Sequence, residues 1–201
     1  MPHRAVRPAI IVHLLWLTIG LMTTPLVAVG IAAAEPPFPV IHKPAPDFVL
    51  TDQDGRQIRL TQFRGKLVLL TFFYANCTDV CPLTTAALAR VQRELIRRGW
   101  WATDVVFASV TTDPLRDTPA ALRAYAKRYQ ADRRGWHFLT GDPQAVAAVH
   151  RRYSIEVRPL AGGLQDHAVP TFLIDRTGMV LGAYGANPDP ADIIQDLTRL
   201  H

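Results

Sequence analysis

The apolar run at residues 66–74 constrains the fold more than any other part of this sequence. It reads Lys-Leu-Val-Leu-Leu-Thr-Phe-Phe-Tyr and lacks the alternation of polar and apolar residues expected of a half-exposed strand. A strand of this kind is buried on both faces, so other elements must cover the sheet on each side. Residues 104–111 form a second buried strand. The two runs predict the centre of an α/β domain.

Helical and strand patterns alternate around these runs. Apolar spacing, N-cap residues and prolines at first turns predict helices at Pro82–Arg98, from Thr118-Pro119 onward, near Pro143–Tyr153 and at Pro190–Leu200. Further strands are predicted at residues 48–50, 57–60, 168–175 and 179–184, and His137 begins another. Asp54-Gly55 is typical of a hairpin turn, which makes the first two strands an N-terminal β-hairpin. This order predicts an α/β sandwich with a mixed central sheet.

Residues 1–34 are typical of a targeting segment. Arg4 and Arg7 precede an apolar stretch over residues 9–34, which ends in the small-residue pattern Ala32-Ala33-Ala34. The stretch is long for a cleaved signal, and about 20 apolar residues suffice to span a bilayer. A cleaved signal peptide and a retained inner-membrane anchor are therefore both open. In either case the remaining chain lies on the periplasmic, extracytoplasmic side, because the positive flank stays inside.

The rest of the chain divides into a Pro-rich linker, residues 35–46, and one domain, residues 47–201. The net charge of +5 comes from 22 basic and 17 acidic side chains. The arginines are scattered, and no dense basic run is interleaved with aromatic residues. We therefore expect no nucleic-acid partner, and membrane proximity accounts equally well for the excess charge.

Chemistry is concentrated at Cys77 and Cys81, the only two cysteines. They exclude a disulfide-rich scaffold and a four-cysteine zinc site. The pair lies between the strongest strand and a helix opened by Pro82, at the strand edge where α/β sheets bind ligands. The free N–H groups of a helix start stabilise thiolate, the form that attacks disulfides and binds metals. A structural disulfide is the simpler alternative, but one closing so short a loop stabilises little.

A metal ion on this pair needs a third donor. Soft thiolates select Cu(I), and imidazole also suits copper. The predicted exported part contains five histidines: His42, His137, His150, His167 and His201. His167 is the candidate, because it ends a Gly-rich loop and precedes the strand at residues 168–175. The methionines are Met1, Met22 and Met179 alone, which excludes a methionine-based copper tail.

Three segments together resemble the Sco/SenC copper-binding proteins: Cys77-Thr78-Asp79-Val80-Cys81-Pro82, Thr112-Asp113-Pro114-Leu115-Arg116-Asp117-Thr118-Pro119, and Asp166-His167 before Phe172-Leu173-Ile174-Asp175 and Gly178. The resemblance implies a thioredoxin-like, three-layer fold on the outer face of a membrane. It implies that Cys77, Cys81 and His167 bind a copper ion, and that the partner is the copper-accepting subunit of cytochrome c oxidase. It also implies that Asp79, Asp113 and Asp166 lie around the metal ligands. Each has a simpler explanation: Asp79 complements a helix start, Asp113 serves a loop, and Asp166 is solvated.

The sequence departs from the family pattern at two positions. Thr78 stands where the family usually has proline. Pro170 stands where thioredoxin-like oxidoreductases have a cis-proline facing the dithiol, a feature that Sco proteins usually lack. The competing hypothesis is therefore a thiol–disulfide oxidoreductase that uses Cys77 and Cys81 as its redox pair. A peroxidase on the same fold has no specific support in the sequence.

Overall fold

The computed structural model describes residues 41–201. The predicted signal or anchor and the first part of the predicted linker lie outside the described residues, so the domain division stays a prediction. Within residues 41–201, no helix combines the length and the apolar character that crossing a bilayer requires.

Ten strands and four helices make up the described part of the chain. The strands are β1 (Lys43–Pro44), β2 (Val49–Asp52), β3 (Gln57–Arg59), β4 (Leu67–Phe73), β5 (Val105–Thr111), β6 (Trp136–Thr140), β7 (Val157–Pro159), β8 (Gln165–His167), β9 (Thr171–Ile174) and β10 (Met179–Tyr184). The helices are α1 (Val80–Arg97), α2 (Pro119–Arg128), α3 (Pro143–Arg152) and α4 (Pro190–Leu200). Single 3₁₀ turns lie at Leu60–Phe63 and Ala161–Gly163.

Eight of these strands form one sheet in the order β1-β10-β9-β4-β5-β6-β2-β3. Strands β4, β5 and β6 are parallel, whereas β9 runs antiparallel to β4 and β2 runs antiparallel to β6. The prediction of a mixed central sheet is therefore confirmed, as is the N-terminal hairpin of β2 and β3. The sheet also places β9 directly beside β4, so the strand after His167 neighbours the strand before Cys77.

Packing on both faces of the sheet produces the three-layer, thioredoxin-like arrangement that was expected. All seven residues of β4 are buried, and its side chains alternate between two cores. Leu67, Leu69 and Phe73 pack in the core that contains α1, α2 and α4. Val68, Leu70 and Phe72 pack in the core formed with α3 and the hairpin. A strand covered in this way is a rigid base for whatever follows its end.

Helix α1 begins at Val80, two residues before the predicted start at Pro82. Proline is tolerated there because N–H groups in the first turn have no partner within the helix. The helix ends at Arg97, and Gly99, the predicted stop, follows the C-cap residue Arg98 with a left-handed φ of 75°. The N–H groups of Gly99 and Trp100 bond to the carbonyls of Ile96 and Leu95, which satisfies the last turn.

Two segments differ in detail from the sequence-based picture. Residues 43–44 of the predicted linker pair with β10 as an edge strand, so this end of the segment belongs to the sheet. The segment predicted as a Gly-rich loop before His167 is a separate two-stranded ribbon of β7 and β8. Its turn contains Gly162 and Gly163 at positive φ values of 69° and 76°. Glycine adopts this conformation without the strain that a Cβ atom would add.

Candidate metal and thiol site

A cavity of about 190 Å³ opens beyond the end of β4, between the start of α1 and the β7–β8 ribbon. Cys77, Cys81 and His167 all line it. The three predicted site residues come from three different segments: the β4–α1 loop, the first turn of α1, and β8. The fold therefore brings together side chains separated by up to 90 positions in the sequence.

The two cysteines are free thiols in different environments. Burial favours the neutral form of Cys77, but hydrogen bonds from the Cys81 thiol and from the N–H groups of Asp79 and Cys81 outweigh it and lower the pKa of Cys77. Burial, together with the neighbouring Cys77 sulfur, raises the pKa of Cys81, which is only 1% exposed. The pair thus consists of a partly exposed thiol that ionises more readily than an ordinary cysteine and a buried thiol that donates to it.

His167 is held as a neutral imidazole. Burial lowers the pKa of His167, so the uncharged ring is favoured. Its Nδ1 lies 2.9 Å from the carbonyl oxygen of Ala168. A carbonyl oxygen only accepts, so Nδ1 carries the hydrogen and Nε2 keeps its lone pair. This is the tautomer that a metal-binding histidine uses when its other nitrogen is held by the backbone.

The three side chains share the cavity without forming a finished metal site. Among the residues that the structure describes, no three His, Cys, Asp or Glu side chains are assembled to hold a metal ion. An ion bound by both sulfurs and the imidazole would need His167 and the thiols to draw closer together. The ribbon position of His167 makes it the natural partner to move, because Cys81 is fixed inside α1.

The other four candidate histidines do not line this cavity. His137 on β6 and His150 on α3 are buried, and Nε2 of His150 donates to the carbonyl of Thr111 at 2.9 Å. His201 stacks on the Trp100 ring with a centroid distance of 4.0 Å. His42 lies in the segment before β1. The geometry therefore singles out His167.

Tyr74 is a site residue that the sequence analysis missed. It is buried directly after β4, and its ring centroid lies 5.7 Å from that of His167. Its hydroxyl accepts from the Gln165 N–H at 3.1 Å and also hydrogen-bonds with Cys77. Tyr74 therefore contacts both the thiol loop and the ribbon. No pattern in the sequence indicates this, because Tyr74 only ends an apolar run.

The aspartates named by the resemblance occupy different positions around the site. Asp79 is at the N-cap of α1 but its side chain makes no capping hydrogen bond. Asp166 is exposed on β8. Asp113 is buried and accepts a hydrogen bond from Nε of Arg116. Of the three, only Asp113 has the buried, paired carboxylate of a structural group.

Asp117 is the carboxylate most closely tied to the cysteine loop. It is 2% exposed, and its Oδ2 accepts from the backbone N–H of Ala75 at 3.1 Å and from the Thr111 hydroxyl. Burial raises the pKa of Asp117. The signal for this residue was present in the sequence, since Asp117 belongs to one of the segments that carried the resemblance.

The Val169–Pro170 peptide bond is trans. The Pro170 carbonyl accepts from the Thr71 hydroxyl at 3.1 Å, which joins the start of β9 to β4. The proline therefore lies beside the dithiol strand, as its sequence position suggested, but without the cis bond of thioredoxin-like oxidoreductases.

Comparison with known proteins identifies the family of this chain. The SCO1/SenC family model matches residues 42–201. The SCO1 protein homolog of Bacillus subtilis is 30% identical over 186 residues, which cover 90% of this chain and 93% of that protein. ScoI of Bradyrhizobium japonicum, solved with copper bound, has a TM-score of 0.69 and 28% identity, covering 79% of this chain and 100% of its own. BsSco, solved in a study of its disulfide switch and described as a member of the Sco family of cytochrome c oxidase assembly proteins, has a TM-score of 0.70 and 26% identity, covering 81% and 96%. With a match across the whole described domain and a relative of this similarity, the chain belongs to the SCO1/SenC family.

Proposed function

We propose that this protein is an extracytoplasmic copper chaperone that binds the ion through Cys77, Cys81 and His167. The observation that carries the proposal is that these three side chains line a single cavity. The copper-bound ScoI structure supports copper as the cargo. The description of BsSco as a cytochrome c oxidase assembly protein supports the copper-accepting subunit of that oxidase as the recipient.

The three proposed ligands suit copper, and the open cavity in which they lie suits its release. Two thiolates and a neutral imidazole give a soft, three-coordinate site of the kind that favours Cu(I). The pKa of Cys77 is lowered, so its thiol ionises more readily than that of Cys81, which gives up its proton as the ion binds. The cavity is open to solvent on one side, so thiolates of a recipient protein can approach and replace these ligands one at a time. The extracytoplasmic location rests on the predicted signal or anchor at residues 1–34.

A competitive copper titration tests the ligand set. We expect His167→Ala to lower Cu(I) affinity steeply but to leave the reduction potential of the cysteine pair nearly unchanged, because only copper binding uses the imidazole. Cys77→Ser and Cys81→Ser should each abolish tight binding, since one thiolate and one imidazole make a poor Cu(I) site. The measurements are anaerobic titration of the reduced protein against a Cu(I) chelator, with metal counting, and a thiol–disulfide redox titration.

His201→Ala is the matched control, because this histidine stacks on Trp100 outside the cavity. It should bind copper as the wild type does. Unchanged copper affinity in His167→Ala would remove the imidazole from the site, and tight copper retention in either serine variant would exclude the thiol pair.

Thiol–disulfide exchange is a second candidate, favoured by the unequal environments of the two thiols. The Cys77 thiolate would attack a substrate disulfide, which breaks its S–S bond and releases one substrate thiolate. Cys81 would then lose its proton and attack the Cys77 sulfur, so that the second substrate thiolate leaves. The substrate gains two electrons and the protein ends as a Cys77–Cys81 disulfide. This reaction is compatible with the first proposal, because a recipient's cysteines must be reduced before they accept copper.

A further inference from the structure

The β7–β8 ribbon that carries His167 is held by side chains from a distant loop, residues 112–117. Nη2 of Arg116 donates to the carbonyl oxygen of Gly163, in the ribbon turn, at 2.6 Å. The Thr112 hydroxyl lies 2.5 Å from Oε1 of Gln165, and Nε2 of Gln165 donates back to the Thr112 carbonyl at 3.3 Å. Gln165 is two residues from His167 on the same short strand. The loop therefore hydrogen-bonds to the ribbon at two places, the ribbon turn and the residue Gln165 near the imidazole.

The same loop also hydrogen-bonds to the segment that contains the two cysteines. Asp117 accepts from the Ala75 N–H, two residues before Cys77, and this carboxylate is buried. Residues 112–117 thus bond to both cavity walls, with Asp117 on the cysteine side and Arg116 on the histidine side. Asp113, itself buried, receives Nε of Arg116 and orients its guanidinium toward the ribbon.

The contact between Arg116 and the ribbon turn depends on glycine. A Cβ atom at position 163 would collide with the Arg116 guanidinium, and the φ of 76° would strain any other residue. A side chain at position 163 would therefore displace the guanidinium from its place against the backbone. Gly163 and Arg116 therefore form one structural unit.

We propose that Arg116 is a positioning residue that sets where His167 stands relative to Cys77 and Cys81. A two-stranded ribbon is marginally stable by itself, so its location depends on the contacts that fasten it to the domain. Without the Arg116 bond, the imidazole samples more positions, and fewer of them allow it to join the thiols on one ion. The consequence for copper rests on the function proposed above, whereas the anchoring of the ribbon does not.

Arg116→Ala tests the proposal, with Arg158→Ala as the matched control. Arg158 is an exposed arginine on β7 that pairs with Glu156, the residue before β7, rather than with residues 112–117. In metal-free protein, Arg116→Ala should speed amide hydrogen exchange in residues 157–167 while exchange in β4 and β5 stays unchanged. It should also weaken Cu(I) binding by about 10- to 100-fold, the range found for groups that orient a ligand. Arg158→Ala should change neither quantity, and the reduction potential of the thiols should be the same in all variants.

A double-mutant cycle identifies the route of the effect. In a His167→Ala background, Arg116→Ala should cost little further copper affinity, because there is no imidazole left to position. An equal loss in both backgrounds, or wild-type affinity in Arg116→Ala, would overturn the proposal. Gly163→Ala, which displaces the guanidinium, should reproduce the exchange phenotype of Arg116→Ala. If the wild type binds no copper, the function proposed above fails, and hydrogen exchange alone decides whether Arg116 anchors the ribbon.

Discussion

The two cysteines are chemically unequal although they lie four positions apart. Cys77 is in a loop and receives hydrogen bonds from a thiol and from backbone N–H groups, whereas Cys81 is buried in the core that contains α1, α2 and α4. Hydrogen bonds to a sulfur stabilise its charge and burial opposes it, and at Cys81 burial outweighs the backbone hydrogen bonds that the sulfur receives. Cys77 is therefore expected to react before Cys81, both in binding copper and in disulfide exchange.

Alkylation rates measure this inequality directly. In the reduced protein at neutral pH, we expect iodoacetamide to modify Cys77 much faster than Cys81, because the thiolate is the nucleophile and only Cys77 combines thiolate character with access. Peptide mass spectrometry over time gives both rates. Cys81→Ala removes the thiol that donates to Cys77, so the pH–rate profile of Cys77 should move to higher pH. Comparable rates at both cysteines would contradict the assignment.

At the level of elements, the strongly patterned segments and the hairpin marked by its turn residues were predictable, whereas the β7–β8 ribbon was not. The buried strand β4 and the helix after it follow from an apolar run and a helical repeat, which are local properties of the sequence. The ribbon of β7 and β8 has strands of three residues each, fastened by Arg116 and Thr112 from far along the chain. The residue pattern within the ribbon does not indicate those contacts. The cysteines and His167 could be predicted because their residue types suit a copper ion. Tyr74 and Gln165 could not, because their roles depend on contacts between segments that are far apart in the sequence.

The end of α1 offers a test of local backbone conformation. Gly99 has a φ of 75°, and no atom lies within 4 Å of the point that a Cβ would occupy, so Gly99→Ala adds backbone strain without a clash. We expect it to lower the free energy of unfolding by about 1 kcal/mol. Gly185→Ala is the control, because that position is equally open but does not have a left-handed φ. Urea denaturation of the two variants should separate them, and equal stability would show that the helix end relaxes.

On the scale of the whole molecule, two buried histidines link stability to pH. His137 packs against Phe63 with ring centroids 5.3 Å apart, and His150 packs against Phe72 at 5.9 Å. Burial lowers the pKa of His137, although the Asp52 carboxylate opposes the shift. Burial likewise lowers the pKa of His150, opposed by its bond to the Thr111 carbonyl. Both rings are therefore kept neutral by the folded core and bind protons more readily once the chain unfolds.

We expect stability to fall as the pH is lowered from 7.5 to 5. The unfolded chain takes up protons on these histidines near their ordinary pKa of 6.5, before the folded protein does, so acid favours unfolding. Each histidine contributes at most about 1.4 kcal/mol per pH unit. Urea denaturation at several pH values measures the slope, which His137→Gln should reduce. A free energy of unfolding that is constant over this range would refute the linkage.

The cavity is lined on one side by the main body of the domain and on the other by the β7–β8 ribbon, and this has a consequence for the release of a bound ion. The two sulfurs belong to the main body of the domain, whereas the His167 ring belongs to the small β7–β8 ribbon outside the principal sheet. In a copper carrier built this way, moving the ribbon aside would break its hydrogen bonds to residues 112–117 and the packing of Val157, but none of the strand pairs of the principal sheet. Release of the ion from such a carrier would be energetically separate from denaturation, and the emptied protein would keep the fold that a new loading requires.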